Sequence, residues 1–217
     1  MDGILVINKP KGPSSFYYMK KIQRKLDIKK VGHLGTLDPN ASGVLVLMCG
    51  RATKLNERLS GGAKVYQSLF TYGIETDTLD PEGNVITKSE IIPTPQQIKA
   101  VLPSLVGDVE IEIPKFSAVH INGERAYDLA RRGVEFQAPK KVVKVERFEL
   151  LPNGWVEIEC QTGTYVRSLA KLVAQKLGTV AIASEITRTR VGNFKLENAK
   201  TLEDVTLNDL IPIENFH

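Results

Sequence analysis

The sequence predicts an α+β domain built on a mixed, mostly antiparallel sheet. Apolar runs of strand length alternate with turn signals, and the helical stretches between them open on recognisable caps. No repeat, low-complexity tract or linker interrupts this order. A chain of 217 residues, 42% hydrophobic and 25% charged, is large enough for a proper core and fits one large domain or two small ones.

Ile4-Leu5-Val6-Ile7 reads as a buried strand stopped by Pro10, Gly12 and Pro13. Ser14 or Ser15 then caps a helix whose apolar positions Phe16, Met19, Ile22 and Leu26 recur at intervals of three and four, with Lys20, Lys21, Arg24 and Lys25 on the other side. A loop over 30–43 leads into Val44-Leu45-Val46-Leu47-Met48-Cys49, a continuous apolar run expected to be buried on both faces. A short helix over 52–60 and a strand over 64–73 follow. Residues 75–95 are acidic and turn-rich around Asp80-Pro81-Glu82-Gly83 and predict a hairpin. Thr94-Pro95-Gln96-Gln97 is a capping box with proline at the first helical position, opening a helix with Ile98 and Leu102 inward that Pro103 disturbs. Another helix over 124–132 ends at Gly133. Trp155 to Cys160 alternates with period two, which puts Val156, Ile158 and Cys160 on one face. Ser168 opens a last helix with Leu169, Leu172, Val173 and Lys176 on one stripe and Gly178 as its stop.

Composition excludes several classes. Cys49 and Cys160 are far apart in apolar surroundings, which suggests reduced thiols rather than a disulfide framework or metal pair. No apolar run approaches the roughly 20 residues of a membrane helix. The N-terminus lacks the basic region and long apolar stretch of a signal peptide, so the expected location is the cytoplasm. The net charge of +4 is modest, but its distribution is not. Residues 1–30 carry eight basic side chains against two acids, 74–112 carry eight acids against two lysines, and 115–147 carry eight basic side chains against four acids. Such segregation suits a polyanion on one face, although solvated surface charge gives the same pattern.

The densest segment for chemistry runs from Val31 to Gly43, through Gly32-His33-Leu34-Gly35-Thr36-Leu37-Asp38-Pro39. Its glycines let backbone approach a ligand or take positive φ, and the buried strand that follows fixes whatever stands there. A carboxylate so placed serves as nucleophile, base or metal ligand. Metal binding is the weaker option, because no second acid or cysteine lies at ligand spacing. Asp-Pro is also a common turn opener whose carboxylate bonds its own backbone. Gly163-Thr164-Tyr165-Val166-Arg167-Ser168 places Arg167 where a strand gives way to a helix, a position from which guanidinium clamps a carboxylate or phosphate, although an ordinary surface ion pair fits it as well. Tyr66, in the strand Lys64-Val65-Tyr66, is more often core packing than chemistry, but its aromatic face and hydroxyl also suit stacking on a base.

In this order the segments closely resemble the TruB family of tRNA pseudouridine synthases. Gly32 to Leu45, followed by Gly50-Arg51-Ala52-Thr53-Lys54, resembles its catalytic motif, and Ile7 to Ser15 its opening motif. Lys64-Val65-Tyr66 resembles its tyrosine motif, and Gly73 to Asp80 the segment after it. Ser117 to Arg131 is similar to its thumb-like RNA-binding insertion, taken here as about 115–147. Gly163 to Leu169 and Arg188 to Phe194 are similar to its arginine motif and final strand. Ile111 and Ile113 depart from the glutamine and first proline usual before the thumb, and Thr187 stands where a further arginine is common.

The resemblance implies a pseudouridine synthase fold in a single catalytic domain over 1–217. It also implies that a C-terminal RNA-binding module of PUA type is missing. The implied reaction isomerises uridine to pseudouridine, at uridine 55 in the T loop of tRNA, after the base flips out. Asp38 is the implied nucleophile or initiating base, with Arg167 as its cationic partner and Tyr66 stacked on the uracil. His33, Gly35, Thr36, Leu37, Lys9, Lys64, Tyr165 and Arg188 are the implied substrate-binding residues. No cofactor or metal is expected. The expected partner is the T stem-loop of tRNA, with no membrane, no obligatory protein partner, and a monomeric enzyme. Two alternatives stand beside this reading: a non-catalytic tRNA-binding or folding protein, and a synthase acting on another RNA.

Overall fold

The computed structural model describes residues 1–217 except Ala118, Asn122 and His217. Ala118 and Asn122 belong to the thumb-like run and lie outside the described residues. In chain order the elements are β1 (Gly3–Lys9), α1 (Ser15–Lys25), β2 (Val31–Leu34), β3 (Ala41–Cys49), a 3₁₀ turn (Gly50–Leu55) running into α2 (Asn56–Ser60), and β4 (Lys64–Tyr72). Then come β5 (Ile74–Thr76), β6 (Val85–Lys88), α3 (Pro95–Val101), β7 (Gly107–Glu112), β8 (His120–Ile121), β9 (Glu124–Arg125) and α4 (Ala126–Arg131). The chain closes with β10 (Lys140–Leu150), β11 (Val156–Cys160), α5 (Val166–Lys176), β12 (Ala181–Val191), β13 (Phe194–Lys195) and β14 (Ile211–Pro212). It divides into two compact units, Met1–Gln67 with Ile186–His217, and Ser68–Glu185; β4 and β12 each run from one into the other.

In the first unit β3 is central. Antiparallel β1 flanks it from Gly3↔Cys49 to Lys9↔Gly43, antiparallel β2 takes its other edge, and β12 runs parallel to its start at Ile186↔Ala41 to Arg188↔Gly43. The apolar run in β3 is continuous because both faces are covered. Leu45, Leu47 and Cys49 pack with Tyr18, Met19 and Ile22 of α1, while Val44, Val46 and Met48 pack with Leu34, Ala52 and Val191. Each large apolar side chain fully removed from water there contributes about 1.5–3 kcal/mol. Residues 31–34, expected as loop, form β2: four residues are too few to show a period, and the strand exists through its pairing with β3.

Helix α1 is capped by Ser14, whose side chain accepts from the Tyr17 N–H. Its buried stripe is Ser15, Tyr18, Met19 and Ile22. Phe16, expected inward, is instead 60% exposed. Tyr18 takes the buried role because its hydroxyl accepts from the Leu202 N–H at 3.0 Å, a long-range contact that periodicity does not reveal.

The second unit is built on β10, antiparallel to both β7 and β11, with a bulge between Val145 and Arg147. Hairpins β5–β6 and β8–β9 are separate two-stranded ribbons. Thr94 and Gln97 form the predicted capping box of α3, and a 3₁₀ turn over Leu102–Leu105 replaces the helix at Pro103. Val156, Ile158 and Cys160 share the buried face of β11 as their alternation requires. Apart from β3 with β12, these ladders are antiparallel, so the sheet is mixed and mostly antiparallel as expected.

Several boundaries differ from the sequence reading: β3 already begins at Ala41, and the helix expected over 124–132 runs from Ala126 to Arg131, after the two residues of β9. Residues 140–147, counted with the thumb, belong to β10, so the excursion between β7 and β10 is shorter. Helix α5 begins at Val166, not Ser168, because the Ser168 hydroxyl turns aside to donate to the Glu112 carbonyl. Its buried face is Val166, Leu169, Ala170, Val173 and Ala174, leaving Lys176 exposed. Among the described residues no helix is long and apolar enough to cross a membrane.

Candidate active site

Asp38 lies in the loop joining β2 to β3, and the first unit holds that loop from several sides. Arg188, on β12, is 1% exposed, and its guanidinium lies behind the loop. Its Nε donates to the Val44 carbonyl at 2.9 Å, and its two terminal nitrogens donate to Thr36 and Gly35 carbonyls at 3.2 Å each. A buried cation needs such partners, and here backbone supplies all three, two from the loop and one from β3. The Ser15 hydroxyl donates to the Leu37 carbonyl at 2.6 Å and accepts from the Leu37 N–H at 2.8 Å. The Gly12 N–H donates to Pro39 and the Ala41 N–H to Asp38, at 2.8 and 3.0 Å. The residues on either side of Asp38 are thereby tied down, and its side chain is half-buried.

Glycine is required at two points of this frame. Gly35 has φ +71°, and a Cβ there would stand 3.4 Å from Lys64 Cε. Gly43 has φ +107°, and a Cβ would meet the Arg188 carbonyl oxygen at 2.2 Å. Gly43 therefore lets β12 approach closely enough for Arg188 to reach the loop.

The remaining first-unit candidates divide by burial. Lys9 is 0% exposed and its ammonium donates to Pro10 and Pro13 carbonyls at 2.8 and 2.9 Å. Lys9 and Arg188, both expected to bind substrate, donate to backbone carbonyls, which help to compensate a charge withdrawn from water. Lys64 and Tyr66 lie at the buried start of β4. His33 is half-buried in β2, paired with Leu47, and its Nδ1 finds no hydrogen-bond partner among the described residues. Burial first, and then the positive charge of Arg188, hold the His33 imidazole below its usual pKa and favour the neutral ring.

Arg167 and Tyr165 lie in the second unit. Tyr165 is the residue before α5. Arg167, 4% exposed, donates to Thr78 and Phe116 carbonyls at 2.8 and 3.1 Å and stands 4.0 Å from an Asp80 carboxylate oxygen. Asp80 is itself buried and accepts from the Thr78 hydroxyl at 2.6 Å and the Glu82 N–H at 3.0 Å. Sequence reasoning misses Asp80, which looks like a turn residue before proline, and misses Ser15, which looks like a helix cap. What the sequence does not show is the bond from Ser15 to Leu37 and the approach of Arg167 to Asp80, both between residues distant in the chain.

Burial pushes the Cys49 thiol up to about 11 and the Tyr72 phenol up to about 12, so both are protonated at neutral pH. Thr187, at the position where an arginine is common, pairs its hydroxyl with that of Ser42 at 3.1 Å.

Comparison with known proteins agrees with this architecture. Residues 23–166 match the family model described as TruB family pseudouridylate synthase (N terminal domain). The chain is 41% identical over 239 residues to tRNA pseudouridine synthase B of Geobacillus thermodenitrificans, covering 100% of this chain and 79% of that one. It is 38% identical over 220 residues to the Borreliella burgdorferi protein of the same name, covering 99% and 78%. Among solved structures it is similar to a chain of a Cbf5-Nop10-Gar1 complex, with TM-score 0.72 and 29% identity over 93% of this chain. It is also similar to a chain of an H/ACA RNP bound to a substrate RNA containing 2'-deoxyuridine, with TM-score 0.69 and 27% identity over 93% of this chain. It spans about half the length of those two solved chains, 53% and 51%. With a family model matched over more than half its length and relatives near 40% identity over nearly all of it, the chain belongs to the TruB family of pseudouridylate synthases.

Proposed function

We propose that this chain isomerises uridine to pseudouridine in tRNA, at uridine 55 of the T loop. The observation that carries the reading is the immobilised loop around Asp38, whose neighbours Gly35, Thr36, Leu37 and Pro39 all have backbone groups bound by Arg188, Ser15 or Gly12. A group that must meet one sugar carbon or one proton with little reorganisation is best carried on such a frame.

The chemistry balances without a co-reactant. The bond from C1′ to N1 breaks, the detached uracil turns, and a bond from C1′ to C5 forms; C5 loses a proton and N1 gains one. Asp38 serves either as nucleophile at the sugar or as the base that initiates cleavage. Tyr66 provides the aromatic face against the uracil. Arg167 contributes a guanidinium whose orientation is set by the Thr78 and Phe116 carbonyls and by Asp80. His33, its ring held toward the neutral form, supports the loop after the target nucleotide has flipped, a step that costs a few kcal/mol. In this reading the enzyme works as a cytoplasmic monomer without a cofactor.

The test is to incubate the purified protein with unmodified tRNA transcript and map pseudouridine by position. Asp38→Asn, nearly isosteric but uncharged, is expected to abolish product while leaving tRNA affinity and the unfolding midpoint close to wild type. Turnover by Asp38→Asn, or product at another position only, overturns the assignment.

A further inference from the structure

Two aromatic side chains on the first turn of α1 face solvent: Phe16 is 60% and Tyr17 54% exposed. The core does not need them, because Ser15, Tyr18, Met19 and Ile22 make up the buried stripe. Each ring carries a lysine four residues on. The Lys20 ammonium stands 5.5 Å from the Phe16 centroid and that of Lys21 5.1 Å from the Tyr17 centroid, both within cation–π range. Lys20 is further held by Gln23, whose side-chain oxygen accepts from it at 2.8 Å. Exposed Arg24 continues the same side of the helix.

This turn is not remote from the site. Ser15, adjacent to Phe16, is bonded in both directions to Leu37, adjacent to Asp38. Standard backbone dimensions then keep the Phe16 Cα within about 14 Å of the Asp38 Cα, a span of a few nucleotides. Rings beside cations have a known use: bases stack on the aromatic faces while the charges meet the phosphates.

We propose that Phe16 and Tyr17, with Lys20 and Lys21 across them, form a stacking platform for unpaired bases of an RNA whose neighbouring nucleotide is delivered to Asp38; the choice of RNA rests on the function proposed above. The platform reads no sequence. It holds bases that a flipped nucleotide leaves unstacked, and so offsets part of the cost of flipping.

The test uses the full chain and an unmodified T-arm stem-loop transcript, with a second transcript carrying abasic positions beside the target uridine. Phe16→Ala with Tyr17→Ala is expected to weaken binding roughly tenfold for each stacked base lost. The slope of log affinity against log salt should stay unchanged, since neither ring is charged. Phe16→Trp with Tyr17→Phe, which keeps the ring faces, retains wild-type affinity and shows that the site is otherwise intact. The abasic transcript loses the same factor with wild type and nothing further with the double alanine variant. Wild-type affinity in that variant, or an abasic loss that persists in it at full size, overturns the platform. Unchanged RNA binding is also the result if the rings serve a protein partner instead. If RNA is bound with this signature but never isomerised, the proposed function fails while the platform stands; no RNA binding by wild type overturns both.

Discussion

His33 makes a testable pH dependence at the scale of one residue. Its pKa in the folded chain lies below the ordinary value of 6.5, through burial and the nearby Arg188 charge. As pH falls through 6.5, the unfolded chain takes up the proton first, so protonation favours unfolding and stability is lost toward acid. Above that pH the group is neutral in both states and contributes no slope. His33→Gln should therefore lose less stability than wild type between about pH 6.5 and pH 5, read by urea unfolding at each pH. Parallel loss in both proteins would show that other groups carry the acid sensitivity. Arg188 illustrates the opposite kind of residue, a permanent charge whose burial is offset by three carbonyls in a planar fork that lysine does not reproduce.

At the scale of elements, the contact between β3 and β12 decides whether the loop is held. Gly43→Ala places a methyl on the Arg188 backbone and imposes positive φ on a residue with a Cβ. The expected cost is about 1–3 kcal/mol of stability, with turnover falling more than the fraction unfolded explains, because the strand carrying Arg188 must shift. A variant as active and stable as wild type would mean that β12 yields without disturbing the loop. The glycine frame around Asp38 is legible from sequence because glycine, proline and a following apolar run are local signals, as are the Thr94 capping box and the alternation in β11. Which face of α1 turns inward is not, since Phe16 and Tyr18 each fit a helical spacing and a bond from Leu202 decides between them. The pairing of Asp80 with Arg167 and the hold of Arg188 on the loop are hidden for the same reason, since both rest on partners far along the chain.

At the scale of the whole molecule, local charge counts overstate how many cations are available to a polyanion. The basic stretch over 115–147 includes Arg147, which stands 3.1, 2.7 and 3.8 Å from Glu149, Glu157 and Glu159, and Lys140, 3.0 Å from Glu110. Arg132 pairs with Glu124 in the same stretch. On α1, by contrast, Lys21 and Arg24 are exposed on a helix with no acid in its first turn. Binding tRNA releases counterions for each phosphate met by a cation, and a cation already surrounded by carboxylates releases few. Lys21→Ala and Arg24→Ala should each lower the slope of log affinity against log salt by about 0.7–0.9, whereas Arg147→Ala should leave it within error. Titrations of unmodified tRNA between 50 and 200 mM salt give the slopes directly. A slope that falls equally for Arg147→Ala would mean that its carboxylates open to admit RNA, and the local charge excess would then count in full.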